Sequence, residues 1–362
     1  MTNKLTLAVA GSRKTQGIVD HCASLPSNRR ALILTFTQQN QIELCDRLSI
    51  YAGDHQYVEV MGWYTFLLRH FAKPFLPFKF PNKRVKGFNF EGRPNMMASG
   101  YKRFFDSHDC AYACELARLS HELIKQSAGT LFHRLQCLYD EIFIDEVQDL
   151  SSHDWEIIDA LFETSIDITM VGDIRQSVLS TNARSRKNNK YAYAEAIHWF
   201  REREKKGILE IEESAITWRC HAEIAKFSDT IFNADWNFPA TESKNEATSD
   251  HDGVFLLMTK DVDAYVERYS PKCLRHSASS GKNFNLDFLN FKLAKGSTHE
   301  RVLIVPTKPI IAFIQNGVSL EPNPAASFYV AVTRAKQSVA LVLDKPGNSC
   351  LPYWSMPLSP IA

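Results

Sequence analysis

Residues 8–19 read AVAGSRKTQGIV, and the fold turns on whether this stretch cradles a phosphate. The run Leu5, Leu7, Ala8, Val9, Ala10 has the apolarity of a buried strand entering a loop. A phosphate loop has glycine, four free positions, glycine, lysine, then serine or threonine. Backbone N–H groups at a helix start must approach phosphate oxygens while the lysine supplies charge. Lys14 and Thr15 fit this pattern, but Ala8 and Arg13 stand at the two glycine positions and only Gly11 keeps glycine's backbone freedom. Taken alone the loop is half a motif.

Working outward, apolar β-rich runs recur at 31–36, 141–144, 166–171, 302–305 and 339–343. Separated by helix-length segments such as 153–162 and 221–232, they indicate parallel sheets covered on both faces. In the second of these helices Ile224, Phe227 and Ile231 share one face. Residues 65–138, rich in aromatics and bases without alternation, read as a helical insertion, and 233–250 as a polar, turn-rich loop. The class is therefore α/β.

Size and composition bound the rest. A chain of 362 residues, 44% hydrophobic, holds enough apolar material for more than one domain. Its 42 basic and 41 acidic side chains nearly cancel, so any polyanion site is a local patch. Two such patches stand out, Arg184, Arg186, Lys187 and Lys190, and Lys83, Arg84 and Lys86; each reads equally as a solvated face. No run approaches the roughly 18 apolar residues of a membrane span, and a cytoplasmic, membrane-free protein is expected. Eight cysteines without a CxxC pair suit reduced thiols. The cluster His108, Cys110, Cys114 and His121 lacks a second ligand pair at zinc spacing and reads as buried helix residues.

Two further strand ends carry chemistry. The run before Asp145 and Glu146 delivers two adjacent carboxylates, the pairing with which a nucleotide site holds a magnesium ion and activates a water. The run ending at Gly172 and Asp173 is followed by Gln176, whose amide could report on a terminal phosphate or an attacking water.

In order and spacing these segments resemble the motifs of superfamily 1 DNA helicases of the UvrD/Rep/PcrA type. AVAGSRKT departs from that family's AxAGSGKT only at Arg13, IDEVQD is similar to DExxD, and VGDIRQS to VGDxxQS. LTFTQQNQIELCDRL resembles the strand-and-helix segment that touches single-stranded DNA. ESAITWRCHAEIAKFSDTIF resembles the NYRS motif, NFKLAKGSTHERVLIV the TxHxxKGxEF motif, and FYVAVTRAKQSVALVL the YVAxTRA motif. The resemblance runs from residue 5 to about 344, with gaps at 66–138 and 233–286.

It implies two RecA-like domains sandwiching ATP and Mg2+. The first would span 1–64 and 138–200 and the second 201–362, with a helical insertion at 65–137 and a short insert at 233–286 replacing a bulky accessory domain. Ala10, Gly11, Ser12, Arg13, Lys14, Thr15 and Gln16 would bind the nucleotide, Thr15 and Asp145 the magnesium ion. Glu146 would be the general base and Gln176 the γ-phosphate sensor, while Arg219 and Arg334 would be finger arginines from the second domain. Ala325, Phe328, Val332 and Ala335 read as one helical stripe that leaves Arg334 free to face the cleft. Single-stranded DNA would meet Thr35, Phe36, Thr37, Trp63, Tyr64, Thr65, Lys295, Gly296 and Ser297.

The implied activity is a 3′-to-5′ ATP-driven helicase or translocase. The departures point to a second reading, a nucleotide-sensing or DNA-stimulated ATPase subunit beside a nuclease or other protein, as in an anti-phage defence system. A degenerate binding module is the third. Arg13 replaces a loop glycine, and Val178 and Leu179 replace the aromatic expected after VGDxxQS. The chain begins too close to the loop to include the relatives' adenine-reading glutamine segment, which leaves base selectivity open.

Overall fold

All five apolar runs form strands, and all pair in parallel. The computed structural model describes residues 3–53, 57–182 and 184–356. A six-stranded sheet orders its strands Val58–Gly62, Ala31–Thr35, Glu141–Asp145, Asp167–Gly172, Asn3–Ala8 and Glu210–Ser214, each hydrogen-bonded parallel to its neighbour. Leu32, Ile33, Leu34 and Ile142 are sealed from solvent. Strands covered on both faces by helices therefore read as unbroken apolar runs rather than alternating ones.

A second, five-stranded parallel sheet orders Gly253–Leu257, Ala335–Val342, His299–Val305, Lys272–Arg275 and Phe288–Asn290. The largest apolar cluster joins the two lobes, running from Leu7 and Ile168 through Ile174 to Phe328 and Tyr329 of the helix Pro322–Val332. No helix among the described residues is long and apolar enough to cross a membrane.

Three sequence expectations change here. Residues 201–214, assigned to the second lobe, belong to the first. Glu210–Ser214 is the edge strand beside Asn3–Ala8, and Trp199 of the preceding helix packs on Trp155 at 4.8 Å. EIEES carries no apolar signal because an edge strand keeps a wet flank and tolerates charge. The segment 233–286 is not an insert, because Gly253–Leu257 and Lys272–Arg275 within it build the second sheet. Residues 65–137 are mainly helical but share the first lobe's core: Phe66, Leu67, Phe71, Leu116 and Leu119 lie in the same cluster as Leu5 and Ile142. They also hold a short parallel pair, Gly87–Asn89 with Cys110–Tyr112.

Candidate nucleotide-binding cleft

The carboxyl ends of the first sheet's strands open on a cavity of about 660 Å3 between the lobes, within the range of small-molecule pockets. Its walls carry Gly11 through Gln16, Asp145, Glu146 and Gln176 from one side and Arg219, Lys295 and Arg334 from the other. Every catalytic residue expected from the sequence lines this one cleft. Of the expected nucleotide-binding set only Ala10 lies behind the wall, where its N–H donates to the Tyr329 hydroxyl at 3.4 Å.

The phosphate loop is built by backbone geometry. After the strand Asn3–Ala8 the chain turns at Gly11, with φ +78°, and again at Arg13, φ 63°, into the helix Lys14–Ser24. A side chain at Gly11 would put its Cβ 2.5 Å from that of Arg219, so this glycine admits the second lobe's arginine. Arg13 adopts the left-handed conformation of the glycine it replaces, which is uncommon for a residue with a side chain. Its guanidinium stacks 4.2 Å over Trp218, while the residue itself lines the cleft.

The helix start offers N–H groups and a favourable dipole to an anion. Ser12 Oγ is buried with no partner, an orphan acceptor and donor that a phosphate oxygen would satisfy. Thr15 Oγ1 lies 3.2 Å from Asp145 Oδ2, a hydroxyl and carboxylate pair of the hard-oxygen chemistry a magnesium ion takes up with water. The donor set fits both groups.

Electrostatics then sort the carboxylates. Glu146 stands at φ 56°, which turns its side chain into the cleft. There Oε1 lies 3.2 Å from Lys14 Nζ, and Oε2 3.0 Å from Lys295 Nζ and 2.6 Å from Gln148 Nε2. Although burial opposes its charge, the two ammonium groups hold its pKa below the ordinary value. Asp145 is driven the other way, by burial and then by the neighbouring Glu146 charge. Asp149 is also raised by burial, although Lys295 opposes it.

Arg334 and Gln176 meet across the cleft. Arg334 Nη2 donates to Gln176 Oε1 at 2.9 Å, and Gln176 Nε2 donates to Asp173 Oδ2 at 2.8 Å. Arg334 is 1% exposed, and its remaining bonds go to Val330 O, Ser297 O and Thr333 Oγ1. Desolvation, then the nearby Arg219, lowers its pKa to about 10. The expected helical stripe is corrected: the helix ends at Val332, Ala335 opens the next strand, and Arg334 sits in the turn between. Arg219 donates to Thr333 O at 3.2 Å, with its neighbour Thr217 bonded to Ala10 O at 2.7 Å.

The expected DNA-binding residues do not gather in one groove. Trp63 is 2% exposed and donates its indole N–H to the buried Asp154 at 2.7 Å, so it is a core residue. Thr35 is buried in its strand. Thr37 caps the helix Gln38–Tyr51 by accepting from Asn40 N, and it lines the nucleotide cleft together with Lys295, Gly296 and Ser297. Phe36 and Tyr64 are half-buried with ring centres 6.1 Å apart, Tyr64 meets the exposed Phe90 edge-on at 5.5 Å, and Thr65 is exposed.

Sequence reasoning passed over Gln148, Asp149, Trp218, Phe90 and Tyr329. The first two lie inside IDEVQD and were legible as polar residues of a motif; Tyr329 O–H, bonded to Asp173 at 3.2 Å, is legible only once the lobes meet. Both basic patches are exposed, Lys187 being paired with Glu156 at 2.9 Å. Among the described residues no three potential ligands gather for a metal, and the cysteine–histidine cluster is not a set of buried helix residues: His108 is exposed, Cys110 opens the strand Cys110–Tyr112, and His121, on the helix Ala113–Gln126, faces His153.

One family model and two solved structures are similar to this chain. Residues 82–185 match the model of the UvrD/REP helicase N-terminal domain. No curated protein sequence matches the chain. The solved complex of arterivirus nonstructural protein 10 (helicase) with DNA superposes with a TM-score of 0.50 at 13% identity, covering 94% of this chain and 61% of that one. The PRRSV helicase gives 0.45 at 14% identity, with 94% and 52% covered. The chain thus spans between half and two thirds of the length of these structures, and at such identity the likeness is one of fold. Residues 82–185 are thus similar to the UvrD/REP helicase N-terminal domain, and the two-lobed fold around them is like that of the arterivirus helicase.

Proposed function

We propose that the chain hydrolyses ATP at the cleft and uses the resulting lobe motion to move along single-stranded DNA in the 3′-to-5′ direction. The observation that carries this reading is the convergence of Lys14, Thr15, Asp145, Glu146, Gln176, Arg219 and Arg334 on one cavity, with the lobes joined by the bond from Arg334 to Gln176. In it Lys14 binds the terminal phosphates, Glu146 takes the proton of the attacking water, and Gln176 senses the γ-phosphate. Arg219 and Arg334 stabilise charge on the transferring phosphoryl group when the lobes are together. Thr15 and Asp145 would hold a magnesium ion, whose charge offsets that of the phosphates.

For the strand, Phe36, Tyr64 and the exposed Phe90 form a row of rings on which bases of any identity could stack. The polarity follows the UvrD-type motifs, and DNA as the strand is supported by the DNA bound to the arterivirus helicase.

The test is ATP hydrolysis with and without single-stranded DNA, on the wild type and on Lys14→Ala and Glu146→Gln. Stimulation by DNA that vanishes in both variants supports the motor. Turnover indifferent to DNA, or none at all, overturns it in favour of a sensor subunit or a binding module. Strand displacement from duplexes with 3′ or 5′ tails reads the polarity.

A further inference from the structure

Lys295, expected from its motif to touch DNA, is committed elsewhere. An ammonium group has three N–H donors. Its Nζ lies 3.0 Å from Glu146 Oε2 and 2.7 Å from each oxygen of Asp149, which is enough to occupy all three. The side chain is 11% exposed and Asp149 is 1% exposed. The lysine follows the short helical turn Phe291–Ala294 of the second lobe and precedes Gly296, so it reaches from one lobe into the carboxylate cluster of the other.

From this geometry we infer that Lys295, anchored on Asp149, is a positioning residue that clasps the Glu146 carboxylate from the opposite lobe. The inference rests on the hydrolytic reading above and deepens it. Among the described residues the Glu146 carboxylate has three side-chain partners: Lys14 and Gln148 belong to its own lobe, and Lys295 reports where the other lobe stands. When a polyphosphate draws Lys14 away, Lys295 and Gln148 remain to fix the direction in which the carboxylate faces the water. Separation of the lobes withdraws Lys295, and the base loses its aim without any movement of the first sheet. Hydrolysis is thereby confined to the closed arrangement, with the arginine contacts as a second, independent condition.

Steady-state hydrolysis by the full chain at saturating ATP and oligo(dT) tests this. Lys295→Met is expected to lower kcat about tenfold or more, as loss of aim at a reacting group does, with KM for ATP and oligo(dT) affinity changed less than about threefold; Lys295→Arg, which can still bridge both carboxylates, recovers part of the loss. Because Lys295→Met alone strands a buried charge, Asp149→Asn combined with Lys295→Met serves as the charge-balanced version and should show the same fall in kcat. Unchanged kcat with weakened oligo(dT) binding would return Lys295 to the DNA surface and overturn the clasp. A wild type without turnover would sink the motor reading instead. The clasp would then stand or fall on a double-mutant cycle of Lys295→Met and Glu146→Gln in urea unfolding: non-additive costs uphold it, and additive ones overturn it.

Discussion

Replacing Arg13 by glycine and, separately, by alanine sets two opposing energies at the phosphate loop against each other. A left-handed backbone costs a residue with a side chain about 1–2 kcal/mol, and Arg13 stands at φ 63°. Its stacking on Trp218, at 4.2 Å and with the tryptophan 47% exposed, contributes about 0.5–1 kcal/mol. Arg13 makes no side-chain capping bond to the helix it precedes, so neither replacement removes one. Alanine keeps the strain and loses the stacking, and should destabilise by about 0.5–1 kcal/mol. Glycine loses the same stacking and adds about 0.5–1 kcal/mol of unfolded-state freedom, but it removes the strain, which leaves it within about 1 kcal/mol of the wild type.

The informative quantity is the difference between the variants, in which the stacking cancels: glycine should exceed alanine by about 0.5–1 kcal/mol. Urea unfolding followed by tryptophan fluorescence resolves it as a shift of midpoint at constant slope. An alanine variant as stable as the glycine variant would refute the reasoning, because Arg13 would then not be held in the left-handed region.

Other perturbations follow from the same structure. Trp63→Phe removes the donor from Asp154, a buried carboxylate whose pKa burial raises to about 6. It should cost about 1–3 kcal/mol in urea unfolding while leaving oligo(dT) affinity unchanged; a selective loss of affinity would restore Trp63 to the DNA site. Arg334→Lys cannot reproduce the set of bonds to Val330, Ser297 and Gln176. It should lower kcat about a thousandfold with little change in nucleotide binding, and equal losses in both would contradict a role confined to the reacting phosphate.

His70 carries a pH prediction. Burial, then Arg134 and Arg69, lowers its pKa from 6.5 to about 4 against the opposing charge of Glu59. Its Nδ1 accepts from Arg134 at 3.1 Å, and its Nε2 lies 3.2 Å from Tyr139 Oη. Folding therefore excludes a proton that the unfolded chain accepts. This contribution is complete above pH 6.5 and is lost as the pH falls toward about 4, amounting to at most about 3 kcal/mol. In His70→Gln, urea midpoints between pH 7 and 5 should decline less steeply than in the wild type; equal slopes would show that His70 is not the group responsible.

The sheet scaffold was legible because burial on both faces leaves a one-dimensional trace. Strands such as Ala31–Thr35 and Glu141–Asp145 are apolar at every position but their ends, and Asp145, at one such end, faces the cleft. Where burial is one-sided or the strand is short, that trace fades, and Glu210–Ser214 and Lys272–Arg275 were misassigned for this reason. The DNA residues were carried over by motif position alone. A motif does not distinguish a tryptophan that faces a groove from one that faces Asp154, as Trp63 does.

The sequence by itself determined the class of fold, the phosphate loop and the strand-end placement of Asp145, Glu146 and Gln176. Each of these rests on short local patterns read in order along the chain. Only the tertiary structure decided what crosses between lobes: Arg334 on Gln176, Lys295 on Glu146 and Asp149, Arg13 over Trp218. The physical reason is range. Hydrophobic periodicity and turn geometry act over a few residues and are written in order along the chain, whereas a hydrogen bond or ion pair between residues well over a hundred positions apart exists only after two independently specified sheets have packed.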